Sequence, residues 1–164
     1  MSERVAEVYC LLLPLTAVRL LLPRACVAEV IGNQLPTQVP GVPPWYLGTI
    51  RWNDAQVPLI SFEGCCQQMV TPASSRSRIV VLHSLGERLE VAHYALLVQG
   101  FPQLVRISPE MLTADAAFSA DGRQPVLTRA RMLKDTPLIP DLDQLEDMLA
   151  DEMPPATQPD VLGR

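Results

Sequence analysis

Leu47-Gly48-Thr49-Ile50-Arg51-Trp52-Asn53-Asp54-Ala55-Gln56-Val57-Pro58-Leu59-Ile60 reads as a β-hairpin. Two runs of apolar and β-branched residues flank Asn53-Asp54, residue types that tolerate the left-handed backbone of a two-residue turn. Pro58 has no N–H to give to a ladder, so its position is expected on an edge or at a bulge.

Outward from the hairpin, similar segments recur between Pro, Gly, Asn and Asp. They are 8–13, 19–22 and 26–31 before the hairpin strands (47–52 and 56–62), and 79–83, 93–98, 104–107, 126–132 and 138–139 after them. Ten short strands in about 130 residues predict a barrel or sandwich rather than an α/β fold. Ile79-Val80-Val81-Leu82 does not alternate and is expected to be buried on both faces. One helix is predicted: Leu142, Leu145, Met148 and Leu149 repeat at helical spacing behind Asp141, with Gln144 at the capping-box position. Its other face, Asp143, Glu146 and Asp147, reads as solvated. A short helical turn is expected at Ser108-Pro109-Glu110. The polar stretch QQMVTPASSRS, 67–77, reads as a linker joining two halves. Residues 1–150 form the expected domain, with that linker near 67–78, and 151–164 an acidic, proline-containing disordered tail.

Composition narrows the function. The 164 residues are 48% apolar, 19% charged and 5% aromatic, with 16 Pro against 8 Gly. That excludes long helices and disorder. From Asp135 onward eight acids face one base, a charge of −7, so residues 1–134 carry +2 of the net −5. A near-neutral body poor in aromatics argues against nucleic acid as a partner. No apolar run reaches the roughly 20 residues a membrane span needs, so no membrane insertion is expected. Glu3 and Glu7 stand where a signal peptide wants positive charge, which points to the cytoplasm. Cys10, Cys26, Cys65 and Cys66 form no C-x-x-C pair and read as reduced, packed thiols.

The chemistry-bearing residues are few. Cys65 or Cys66 with His83 or His93 would be the candidate nucleophile and base, without a local signature. His83 and His93 lie ten residues apart across a turn, where a hairpin would bring them together, but a metal site needs further ligands. No stretch resembles a phosphate loop, and no cofactor is implied. A strand-rich domain without these elements fits a binding module. A small Cys/His β-barrel enzyme and a ligand-binding barrel with a large apolar cavity stay open as alternatives.

The order Val27-Ala28-Glu29-Val30, then Pro40 to Pro44, then Tyr46-Leu47-Gly48-Thr49-Ile50, then Val57-Pro58-Leu59-Ile60 resembles the CheW-like domain family. That family reads V-x-E-[IV], a proline-containing loop, G-[VT]-[IV], a turn, and [VI]-P-[VL]-[IV]. Weaker similarity runs on through Ile79 to Leu82, Tyr94 to Val98 and Leu138 to Asp143, covering about residues 5–150. The Trp-containing turn and acidic end look most like the ChpC-type branch of type IV pilus chemosensory systems. The resemblance implies an all-β fold of two SH3-like five-stranded barrel subdomains with a short C-terminal helix. It also implies a non-catalytic cytoplasmic adaptor between methyl-accepting chemoreceptors and a CheA-like histidine kinase.

One departure stands in the hairpin. Where most members carry Asn-Leu-Arg-Gly, this chain has Arg51-Trp52-Asn53-Asp54. The family arginine is expected to face the acid of V-x-E, here Glu29, and Asn53 has no charge to offer it. Arg51, two residues earlier on an extended strand, shares the face of Asn53 and is expected to take over the contact to Glu29. Glu29, Arg51, Trp52, Asn53, Asp54, Val57 and Pro58 are therefore the candidate protein-interface residues. Tyr46 reads as core, and Trp52 stays open between core and interface anchor. Arg129 and Arg131 read as a solvated strand face.

Overall fold

The computed structural model describes residues 7–153 apart from 87, 120, 121 and 133. Every expected strand is present: β1 (Val8–Pro14), β2 (Arg19–Pro23), β3 (Val27–Gly32), β4 (Tyr46–Trp52), β5 (Ala55–Ile60), β6 (Arg78–His83), β7 (His93–Val98), β8 (Gln103–Ile107), β10 (Val126–Arg131) and β11 (Leu138–Pro140). A two-residue strand, β9 (Thr113–Ala114), adds to them. Two short helices, α1 (Phe62–Cys65) and α2 (Leu142–Glu152), and 3-10 turns at Arg24–Cys26 and Pro109–Met111 complete the described elements.

The strands form two sheets, a six-stranded one in the order β8-β1-β2-β11-β10-β9 and a five-stranded one in the order β3-β6-β7-β5-β4. The expected five strands in the first subdomain thus become six, because β9 pairs with β10. The chain makes two strands of the first sheet, then all of the second, and returns to the first at β8. Residues 67–78 are therefore not the link between the halves: they join α1 to β6 inside the five-stranded unit. The crossings are the turn at Arg24–Cys26 and residues 99–102, where the Gln99 N–H donates to the Pro14 carbonyl at 2.8 Å.

Alternation of side chains across the strands builds separate cores on the faces of each sheet. Val80, Leu82, Leu96 and Val98 face Leu13, Leu20 and Leu22 of the other sheet together with Leu145 and Leu149 of α2. Ile79, Val81, Ala95 and Leu97 face the opposite way and pack with Ile50, Val57 and Leu59. Ile79 to Leu82 are accordingly inaccessible to solvent on both faces. Tyr46 is buried, as its sequence context indicates. At the junction of the sheets the Thr16 hydroxyl donates to Glu63 Oε2 at 3.1 Å and bonds the Thr71 hydroxyl.

Asn53 and Asp54 have φ of 50° and 62°, the left-handed pair a two-residue hairpin turn requires. The hairpin closes with Trp52 opposite Ala55. Pro58 lies in β5, an interior strand, not on the edge or at a bulge as expected. Alternate pairs of an antiparallel ladder hydrogen-bond. Thr49, opposite Pro58, directs both its backbone groups away from β5, to Thr37 at 2.8 and 2.9 Å. Thr49 and Pro58 are therefore a non-bonded pair, and pairing of β5 with β7 begins only at Leu59. The missing donor is not needed there.

Helix α2 starts as its sequence dictates, with Asp141 accepting from the Gln144 N–H at 3.0 Å. Asp141→Ala should cost about 1 kcal/mol by removing this cap, measured by chemical denaturation. The outer face is not all solvated. Glu146 is buried, accepting from the Leu85 N–H at 2.9 Å and the Gly86 N–H at 3.0 Å, because α2 lies against the loop between β6 and β7. Arg88 of that loop reaches Asp147 at 3.0 Å and Asp151 at 2.9 Å. Asp151 and Glu152 are the last residues of α2 rather than the start of a tail; the rest of the expected tail, 154–164, lies outside the described residues.

Candidate functional site

The five-stranded sheet has two edges, β3 and β4. Register carries Glu29 of β3 across Val81, Ala95 and Leu59 to Gly48 of β4, and Ile50 and Trp52 continue the Gly48 face. Trp52 is thus on the Glu29 face, and its indole Nε1–H donates to Glu29 Oε2 at 2.7 Å. This bond ties the two edge strands together at the hairpin end of the sheet. The expected contact between Arg51 and Glu29 does not form. Arg51 precedes Trp52 by one residue and so projects from the opposite face; it is exposed and has no ion pair among the described residues.

The Trp52 ring also stands edge-on to His93 of β7, with ring centroids 4.8 Å apart. His93 faces His83 of β6 directly across the ladder, their centroids 5.1 Å apart, so the hairpin brings the two histidines together as its length suggested. Burial, and then the charge of His83, push His93 below the usual imidazole range. The outcome is a row, Glu29, Trp52, His93 and His83, drawn from four strands. Asn53 and Asp54 are exposed beside it. Among the described residues no group of three His, Cys, Asp or Glu side chains is placed to hold a metal ion.

Two of the proposed interface residues are elsewhere. Val57 belongs to the core on the Glu29 side of the sheet and Pro58 is buried as well, because β5 is covered on both faces and flanked by β4 and β7. Neither is open to a partner. His83 and His93 join the site through strand register, a signal their spacing carried but their residue types did not.

The other chemistry weighed in the sequence is separated by the sheet. Cys65 and Cys66 pack in the core between the two sheets, whereas His83 and His93 follow the face of Val81 and Ala95. Burial pushes the Cys66 thiol up to about 11 and Cys65 further still, the reverse of what an activated nucleophile needs. An apolar cleft of about 480 Å³, lined by Val8, Cys10, Leu21, Ile107, Leu112 and Ile139, lies on the six-stranded sheet, away from the hairpin. Arg129 and Arg131 are not free strand charges: both hold Asp115, at 3.0 and 3.2 Å. The Ala117 N–H and these two guanidiniums keep the Asp115 carboxyl below its usual range.

A family model described as the CheW-like domain matches residues 10–149. The chain belongs to the CheW-like domain family. Its fold is that of the scaffolding protein TtCheW from Thermoanaerobacter tengcongensis, with a TM-score of 0.75 at 19% identity, over 90% of this chain and 98% of that one. A comparison with curated proteins returns no match. The two sheets are thus the two SH3-like subdomains of a CheW-like domain, with α2 as the short C-terminal helix. Membership supports a scaffold or adaptor of chemotaxis signalling. No helix among the described residues is long and apolar enough to cross a membrane. Within the family pattern, the Glu29 contact that an arginine of the turn is expected to make is made here by the Trp52 indole.

Proposed function

We propose that this CheW-like domain is a cytoplasmic adaptor that couples methyl-accepting chemoreceptors to a CheA-like histidine kinase, in a chemosensory system governing type IV pili. It does no chemistry of its own: binding at two surfaces links receptor state to kinase state as a coupling free energy. One of those surfaces is the hairpin end of the five-stranded sheet, where Glu29, Trp52, Asn53 and Asp54 are presented, with Arg51 on the adjoining face. The observation that carries the reading is the half-exposed Trp52 fixed by Glu29. Aromatic side chains held rigid at a surface lose little entropy on docking and supply much of the energy at interfaces.

The test is affinity capture from native cytosol with mass-spectrometric identification. The wild-type chain should recover both a CheA-like kinase and a chemoreceptor. Trp52→Ala should lower recovery of at least one of them tenfold or more, and Arg51→Ala should have a smaller effect. Trp52→Phe, which keeps a ring but gives no N–H to Glu29, separates lost contact area from lost positioning. Recovery of neither partner by the wild-type chain rejects the adaptor reading.

A further inference from the structure

His83 and His93 each carry two ring nitrogens, and no hydrogen bond or ion pair reaches either imidazole among the described residues. His83 is exposed and His93 half-buried, so unclaimed nitrogens of both rings stand side by side at the surface. The two residues are direct cross-strand partners, the last of β6 and the first of β7. One step further along, the Ser84 N–H donates to the Ala92 carbonyl at 2.9 Å, which makes His83 and His93 a non-bonded pair of the ladder. In such pairs the side chains stand closest. The Ser84 hydroxyl also donates to the Val91 carbonyl at 2.8 Å, so the backbone under both histidines is fixed where the loop begins.

The spacing of the two rings carries the chemistry. An imidazole nitrogen binds a divalent transition metal at about 2.0–2.1 Å, with the ring centre roughly 1.1 Å behind it, so two imidazoles sharing one ion at a tetrahedral angle have centres about 5.2 Å apart. The ring centroids of His83 and His93 are 5.1 Å apart, with planes inclined by 49°. A half-turn of either ring about its Cβ–Cγ bond leaves its centre nearly in place and selects the nitrogen that faces the other ring. No backbone movement is needed.

We infer that His83 and His93 form a two-imidazole site for a late first-row divalent ion, Cu²⁺ ahead of Ni²⁺ and Zn²⁺, with water at the remaining positions. Imidazole suits all three ions, and Cu²⁺ leads their order of affinity. Mg²⁺ and Ca²⁺ take oxygen ligands and have none here from the pair. Cys65 and Cys66 lie in the core between the two sheets and contribute nothing. With two protein ligands and no carboxylate or carbonyl on the outer ring nitrogens, the site is open and exchangeable, unlike a closed four-ligand structural centre.

The site is independent of the adaptor reading. The untagged full chain, stripped with a chelator, is titrated with CuCl₂ at pH 7.5, where an imidazole of ordinary pKa, about 6.5, is mostly neutral. One Cu²⁺ should bind per chain, with two nitrogen ligands in its electron paramagnetic resonance spectrum. Trp52 is the internal reporter, its ring centroid 4.8 Å from that of His93. In the Trp45→Phe variant, whose indole emission comes from Trp52 alone, the bound ion should quench that emission. ZnCl₂ should shift the ring-proton resonances of both histidines in the wild-type chain, and MgCl₂ should shift neither. His83→Gln and His93→Gln should each weaken Cu²⁺ binding at least about tenfold, because the second imidazole of a pair binds intramolecularly. A wild-type chain that binds no Cu²⁺ at high micromolar concentration overturns the site. So does binding of equal strength in both single variants, which is an adventitious ion only. Capture of partners in the presence of EDTA reports on the adaptor reading alone, so the two fail separately.

Discussion

Gly48→Ala is expected to lower stability by about 3–5 kcal/mol, combining about 1–3 of backbone strain with two lost backbone hydrogen bonds at about 1 each. Gly48 has φ of 136°, in the region L side chains avoid, and a Cβ there would stand 2.3 Å from the Thr37 carbonyl oxygen. That oxygen is backbone and cannot swing aside. To admit the methyl, the segment at Thr37 must leave β4, which breaks the paired bonds between Thr37 and Thr49 and uncovers the edge of the sheet beside the hairpin. The loss is a large share of the 5–15 kcal/mol that holds a typical domain. A fall in the melting midpoint of at least about 6 °C should accompany it. Gly32→Ala is the control, because a Cβ there meets nothing within 4 Å, and it should stay within about 0.5 kcal/mol of wild type. Equal midpoints for the two variants would contradict this account of Gly48.

Glu146→Ala should cost about 2–4 kcal/mol, since hydrogen bonds to a charged group are worth about 1.5–3 each and two backbone donors lose theirs. The Leu85 N–H is within 2.9 and 3.1 Å of the two carboxylate oxygens and the Gly86 N–H within 3.0 Å of one. Solvent can reach parts of this loop, which places the loss below the sum for two sealed donors. Glu146→Gln retains one acceptor oxygen and should cost about half as much. Amide exchange at Leu85 and Gly86 should accelerate at least tenfold in Glu146→Ala, because the loop is no longer pinned to α2. Asp147→Ala removes only an exposed, solvent-screened partner of Arg88 and should leave stability nearly unchanged. An Asp147→Ala effect as large as that of Glu146→Ala would show that α2 is held by its surface pairs instead.

The loop pinned by Glu146 connects β6 and β7, the strands that carry His83 and His93. Stability of the helix contact and order at the histidine pair are thus linked through one short connection. Release of the loop should broaden the His83 and His93 side-chain resonances before it affects those of β1 or β2.

Much of this molecule is local and so legible in its sequence. Alternation and turn residues located the ten longer strands, Asn53-Asp54 specified the turn, and Asp141 with Gln144 specified the start of α2, because each depends on residues within four positions of one another. The contacts of the candidate site are not local. Glu29 meets Trp52 rather than Arg51 because a register running through β6, β7 and β5 fixes which face each residue occupies, with irregularities between Val27 and Glu29 and between Tyr46 and Gly48. One residue of slip reverses every side chain on a strand, and no short stretch contains that information. Val57 and Pro58, prominent in the motif, are buried because β5 lies inside the sheet, which only the strand order decides. Glu146 illustrates the same limit: its spacing places it on the outer side of an isolated helix, and only packing against the loop after β6 turns that position into a buried one. Sequence alone settled which segments are strands and where the chain turns; tertiary pairing settled which side chains meet, since that depends on groups more than twenty residues apart.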